Sequence, residues 1–233
     1  MSPASGATGT IRDRPPEPRR VRGHNGAVPD SDPVESDEVA RYGVGRLLTL
    51  SDAVFAIALT VLVLSLHVDV SIPASQVGAA IHQTWPEVYA YALSVVVIGA
   101  FWMGHHRLYA RMTRTDAPVL WMNLLFLGLV ALIPYPTDLL GRYGGESDAV
   151  ALYGGLIGIA ALAGAGIALY AGQRGLIGRA ASYRAVARGG PIAAVFLISV
   201  PIAFASPKGA QLSWLFAIPV RMTTSRWRFV DAT

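Results

Sequence analysis

Cysteine is absent from the 233-residue chain, which excludes disulfides and thiolate-ligated metal sites. Charge is scarce too: Asp, Glu, Lys and Arg make up 15% of residues, against about 25% in ordinary soluble domains. Hydrophobic residues reach 53%, and the mean hydropathy is +0.44. So little charge cannot clothe a soluble surface, and lipid must be the solvent for most of the chain. Catalytic signatures are missing as well. There is no His-Glu-x-x-His, no Gly-x-Ser-x-Gly and no phosphate loop, so the sequence offers no enzyme. His105 and His106 are paired, but they lack a nearby third ligand, so neither a metal site nor a cofactor is expected. The sequence pI of 9.6 does not make nucleic acid a partner. The arginines sit in the N-terminal tail and beside apolar runs, where membrane proteins carry them.

What is present divides the chain. Residues 1–40 hold six of the fifteen prolines, arginines at 12, 14, 19, 20 and 22, and then five acids from Asp30 to Glu38. This segment cannot bury enough apolar surface to offset its conformational entropy, and it reads as a disordered tail. Six apolar stretches follow, at about 44–67, 86–108, 118–140, 149–172, 190–206 and 210–226. The first four approach or exceed the roughly 20 residues needed to span a bilayer, whereas Pro201 and Pro219 interrupt the last two. Every second loop is rich in arginine: Arg107, Arg111 and Arg114, then Arg174, Arg179, Arg184 and Arg188, then Arg221, Arg226 and Arg228. That alternation predicts six spans with both termini in the cytoplasm, a multi-pass cell-membrane protein with its channel or transport domain over 41–228 and a short tail over 229–233.

The junction Arg46-Leu47-Leu48-Thr49-Leu50-Ser51-Asp52 runs straight into the first apolar helix, which has neither glycine nor proline from Arg46 to Leu66. Ionised residues at membrane depth cost about 2.5–3.5 kcal/mol on insertion scales, so they persist where they find partners or do work. Arg46 and Asp52 are six residues apart, too far for ordinary helical neighbours. Partners are available in Trp102, His105 or His106, and Tyr109 on one face of the second helix, and in Asn123 of the third. A structural network between helices is the plain reading of these groups. Further along the first helix Ile57, Thr60 or Val61, and Leu64 recur at helical spacing, although every side of a membrane helix is apolar. The fourth stretch, from Gly154 to Gly166, is rich in small residues that let helices approach closely.

The run Arg46-x-x-x-Leu50-Ser51-Asp52 through Thr60 resembles the Arg-x-x-x-Phe-Ser-Asp signature of the transmembrane protein 175 potassium channels in their prokaryotic form, with Leu50 replacing the phenylalanine. Phe101-Trp102-x-x-His105, Asn123-Leu124-x-Phe126-Leu127 and Pro134-Tyr135-x-Thr137 look like that family's second and third helices, so the resemblance covers about 41–140. It implies an all-α membrane protein of six transmembrane helices per subunit, with the first helix lining the central pore of a homotetramer. It also implies potassium as the permeant ion and no carbonyl filter; the Thr-Val-Gly-Tyr-Gly sequence of such filters is absent. By motif position, Ile57 becomes the constriction, Thr60 a polar ring and Leu64 a further apolar layer. Arg46, Ser51, Asp52, Trp102, His105 and Asn123 become the buried network behind it. The competing reading is a proton-coupled transporter that relays protons through Asp52 and His105 or His106. Transporters usually carry internal repeats and broken helices, and the first helix here is unbroken.

Overall fold

The computed structural model describes residues 33–66 and 73–215. Its regular structure is helical. Helix α1 (Pro33–Val61) ends in a 3-10 turn over Leu62–Ser65, and a second such turn at Ala74–Gln76 leads into α2 (Val77–Gln83). Then come α3 (Trp85–Tyr109), α4 (Ala117–Leu132), α5 (Pro134–Tyr143), α6 (Ser147–Gln173), α7 (Arg179–Ala205) and α8 (Pro207–Trp214). Five helical segments among the described residues are long and apolar enough to cross a membrane: Gly43–Ser65, Trp85–Tyr109, Ala117–Tyr143, Ser147–Gln173 and Arg179–Ala205. The chain is a multi-pass all-α membrane protein.

Several boundaries differ from the sequence reading. Helix α1 starts at Pro33, inside the stretch expected as tail. Proline is preset for the first turn of a helix. The rest of that expected tail, residues 1–32, lies outside the described residues. Helix α7 starts at Arg179 rather than near 190, so Arg184 and Arg188 lie on a helix and not in a loop. Four alanines between Arg179 and Arg188 supply helix propensity that hydropathy alone does not register. The sixth apolar stretch opens as α8, which ends at Trp214; from residue 216 onward, the expected sixth span and the 229–233 tail fall outside the described residues.

Helices α6 and α7 form the most extensive pairing, an antiparallel hairpin closed by Gly175 at φ +68°. There the amide of Leu176 donates to Ala171 O and that of Gly175 to Gly172 O, a glycine-dependent helix stop. Glycines on α6 let the two backbones meet. A Cβ at Gly158 would lie 2.6 Å from Leu197 Cγ, and one at Gly154 would lie 2.7 Å from Ser199 Oγ. Helix α8 folds back onto this pair, with Trp214 stacked on Phe196 and donating to Ser199 Oγ at 2.8 Å. The hairpin is tied to the first half of the chain by Ser94 of α3, whose hydroxyl bonds Thr137 of α5 at 2.8 Å and Tyr153 of α6 at 3.0 Å. At the other end Asp116 caps α4 by accepting from the amide of Val119, and it accepts again from the Tyr170 hydroxyl of α6 at 2.8 Å.

Gly158→Val should lower the thermal unfolding midpoint of detergent-solubilised protein by an amount matching about 1–3 kcal/mol of overpacking. Gly155→Ala should leave it unchanged or raise it, because a Cβ there meets only Val200 Cγ2 at 3.8 Å.

Candidate pore helix and its supporting network

The span Gly43–Ser65 has two unlike sides. Leu47, Ser51, Phe55, Ala58, Leu62 and Ser65 recur every three or four residues and are buried against α3 and α4. Opposite them Leu50, Ala53, Ile57, Thr60, Val61 and Leu64 are exposed, with Ile57 61% and Leu64 67% accessible. The exposed residues run at spacings of three and four, so they form one stripe nearly parallel to the helix axis. Ile57 and Thr60 belong to α1 itself, whereas Leu64 lies on the 3-10 turn that ends it. Thr60 Oγ1 donates its proton to Ile57 O at 2.9 Å, so its lone pairs remain free on the exposed side.

Behind this stripe a hydrogen-bond chain crosses three helices. Ser51 and Asn123 are fully buried and His105 is 5% exposed. Ser51 Oγ donates to Leu47 O at 2.8 Å, which leaves its oxygen to accept from Asn123 Nδ2 at 3.2 Å. Asn123 Oδ1 therefore faces His105 Nε2 at 2.8 Å and accepts from it, which fixes the proton on Nε2. Aromatic rings enclose this chain. Phe55 meets the His105 ring edge-on at 5.6 Å, Phe126 stacks at 5.8 Å and Tyr109 stacks at 4.3 Å. Such enclosure keeps water out and makes each directional bond expensive to lose. His105 Nδ1 and the Tyr109 hydroxyl are buried with no hydrogen-bond partner among the described residues.

The expected network thus divides in two. Asp52 accepts from Trp102 Nε1 at 2.8 Å, a bond at the edge of the bundle with Trp102 40% exposed. His106 is exposed and lies against Trp102, whereas His105 and Tyr109 turn inward, so the single face read from the sequence separates into two. Arg46 lies on the exposed side of α1. The ring enclosure and the Asp116–Tyr170 tie were absent from the sequence reading. An aromatic such as Phe55 at i+4 from Ser51 is the only signal that could have suggested the former.

Comparison with known proteins converges on the same segment. Residues 46–134 match the family described as the endosomal/lysosomal potassium channel TMEM175. A potassium channel of Streptomyces collinus is 38% identical over 99 residues, covering 42% of this chain and 48% of that protein. One from Chamaesiphon minutus is 39% identical over 101 residues, covering 42% and 50%. The chain thus spans about half the length of these curated relatives. The crystal structure of a lysosomal potassium-selective channel TMEM175 homolog from Chamaesiphon minutus superposes with a TM-score of 0.71 at 25% identity. It covers 79% of this chain and 99% of that one.

Asn123→Leu strands the His105 Nε2 donor in a dry site and should lower stability by about 1–3 kcal/mol. Adding His105→Phe should recover much of that loss, since replacing both partners by apolar groups removes the stranded donor. Trp102→Phe loses only a rim bond and should cost about 1 kcal/mol or less. Unfolding midpoints of the three proteins and the wild type in one detergent measure all of these.

Proposed function

Given a chain that resembles the TMEM175 potassium channels over its first half, we propose that it conducts potassium across the cell membrane as a homotetramer. In this reading α1 of each subunit lines a central pore, six spans place both termini in the cytoplasm, and the bilayer and sister subunits are its partners. No cofactor takes part. The observation that carries the proposal is the two-sidedness of α1. Its polar attachments are buried on one side, and the other presents an apolar stripe that one chain leaves uncovered. One helix cannot enclose a water path, so symmetric copies of that stripe must meet around an axis.

The chemistry then follows from side chains. Four Ile57 side chains at the axis make an apolar ring that resists ions by dewetting until the helices move apart. One turn on, four Thr60 oxygens offer lone pairs that replace part of the hydration of a cation, with each proton already committed to Ile57 O. Leu64 adds a second apolar layer. Arg46, Ser51, Asp52, Trp102, His105 and Asn123 act from behind by holding the register of α1. The transporter reading has less support. Asp52 is bonded to Trp102 and His105 to Asn123, so the two relay groups of that reading are engaged in separate bonds.

Ile57→Asn should raise single-channel conductance in reconstituted bilayers by wetting the ring. Thr60→Val should reduce the potassium-to-sodium permeability ratio severalfold while cross-linking in mild detergent still yields tetramers. An unchanged ratio in Thr60→Val together with unchanged current in Ile57→Asn would place the conduction path elsewhere. Saturable flux driven by a pH gradient in the wild type would favour the transporter.

A further inference from the structure

Helix α3 does not close against the α6–α7 hairpin along its whole length. Between them lies a cleft of about 1020 Å³, above the usual volume of a small-molecule site. Its width comes from small side chains: Gly164, Ala165 and Ala168 on α6, and Ala181 and Ala185 on α7. Where α3 ends and α7 begins, Arg107, Arg111 and Arg188 line the cleft. Arg184 stands near enough, with Arg107 and Arg111, for their charges to repel that of Arg188. The ion pairs Arg142–Asp138 and Arg174–Asp116 of the described residues involve none of these arginines. An apolar cleft at membrane depth and a cluster of mutually repelling cations at one end are two halves of one chemical requirement.

We propose that this cleft binds an anionic phospholipid, with an acyl chain between α3 and the α6–α7 hairpin and the phosphate against Arg107, Arg111 and Arg188. Guanidinium groups match phosphate oxygens in a bidentate geometry. Basic pockets between membrane helices on the cytoplasmic side are suited to such headgroups. The chain's own residues beyond Leu215 are a poorer occupant. Their sequence carries Arg221, Arg226 and Arg228, of the same charge sign as the arginines of the cleft. The site also touches the pore helix at second hand, since Tyr109 and His105 line the cleft and His105 is bonded through Asn123 to Ser51 of α1.

Native mass spectrometry of the full-length protein with phosphatidylglycerol, and with phosphatidylcholine of the same acyl chains, tests this directly. The wild type should retain phosphatidylglycerol at collision energies that strip phosphatidylcholine. Arg111→Gln with Arg188→Gln should weaken that retention more than about tenfold, at roughly fivefold per charge. Ala185→Phe should abolish it with all arginines in place. Equal retention of the two lipids, or retention indifferent to the arginine changes, would overturn the proposal. Competition by glycerol phosphate at the same concentration would point to a free-anion site and overturn it too. The chain's lack of cysteine permits one more check. A disulfide between Ala185→Cys and Val220→Cys, within or between copies, would put the chain's own tail in the cleft and rule out the lipid.

Discussion

The amide of Asn123 is the interaction on which the arrangement of the first three long helices turns. It donates to Ser51 on α1 and accepts from His105 on α3 while riding on α4. An amide does both through two separate atoms, Nδ2 donating and Oδ1 accepting. Because Ser51 has already given its proton to Leu47 O, only a donor can satisfy its oxygen. The order of donors and acceptors therefore has a direction: histidine to amide, amide to hydroxyl, hydroxyl to backbone. A slip of α1 by one residue would turn Ser51 about 100° away and break the chain. In lipid, where apolar faces pack indifferently, such directional bonds are what choose one register.

The opposite end of the fold uses another device. Helices α6 and α7 are registered by close approach, with Gly154 against Ser199 and Gly158 against Leu197, where any Cβ would collide. Polar groups there mostly satisfy their own backbone, as Ser199 does by donating to Phe196 O. Asp116 and the Ser94–Thr137–Tyr153 cluster then join the two halves near opposite ends of α6. The chain thus has a polar half that positions α1 and a tightly packed half that braces it. The family resemblance over 46–134 ends where the second kind of packing takes over.

The legibility of these parts in the sequence follows their physics. Spans in lipid must be long and apolar, so five of the six apolar stretches coincide with helices of spanning length. Ser51, His105 and Asn123 stood out because polar atoms are rare at that depth. What escaped was anything decided by rotation or packing. Two faces of α3 looked like one, because Trp102, His105 and Tyr109 lie within the same broad arc on a helical wheel. Only the position of α4 divides them. The start of α1 at Pro33 and of α7 at Arg179 escaped for another reason: helix propensity carries charged residues past the apolar run that hydropathy detects. The cleft was invisible, since a void is a property of three helices and not of any segment.

Placing the Ser51–Asn123–His105 chain on one side of α1 has a mechanical consequence. A pore wall that held its own polar contacts would change its electrostatics whenever the helix moved. Here Ser51, Phe55 and Leu62 anchor α1 within the subunit, and from Ala53 to Leu64 the exposed side carries only apolar side chains and one threonine whose proton is engaged locally. If α1 lines a pore as proposed, its movement as a unit with α3 and α4 would change the radius at Ile57 without breaking the Ser51–Asn123–His105 chain. Separating α1 from them would cost the full set of buried bonds. Opening by joint tilting is therefore cheaper than opening by sliding α1 alone. The same bonds transmit strain from α3 to the pore helix, because His105 cannot shift without Asn123 following.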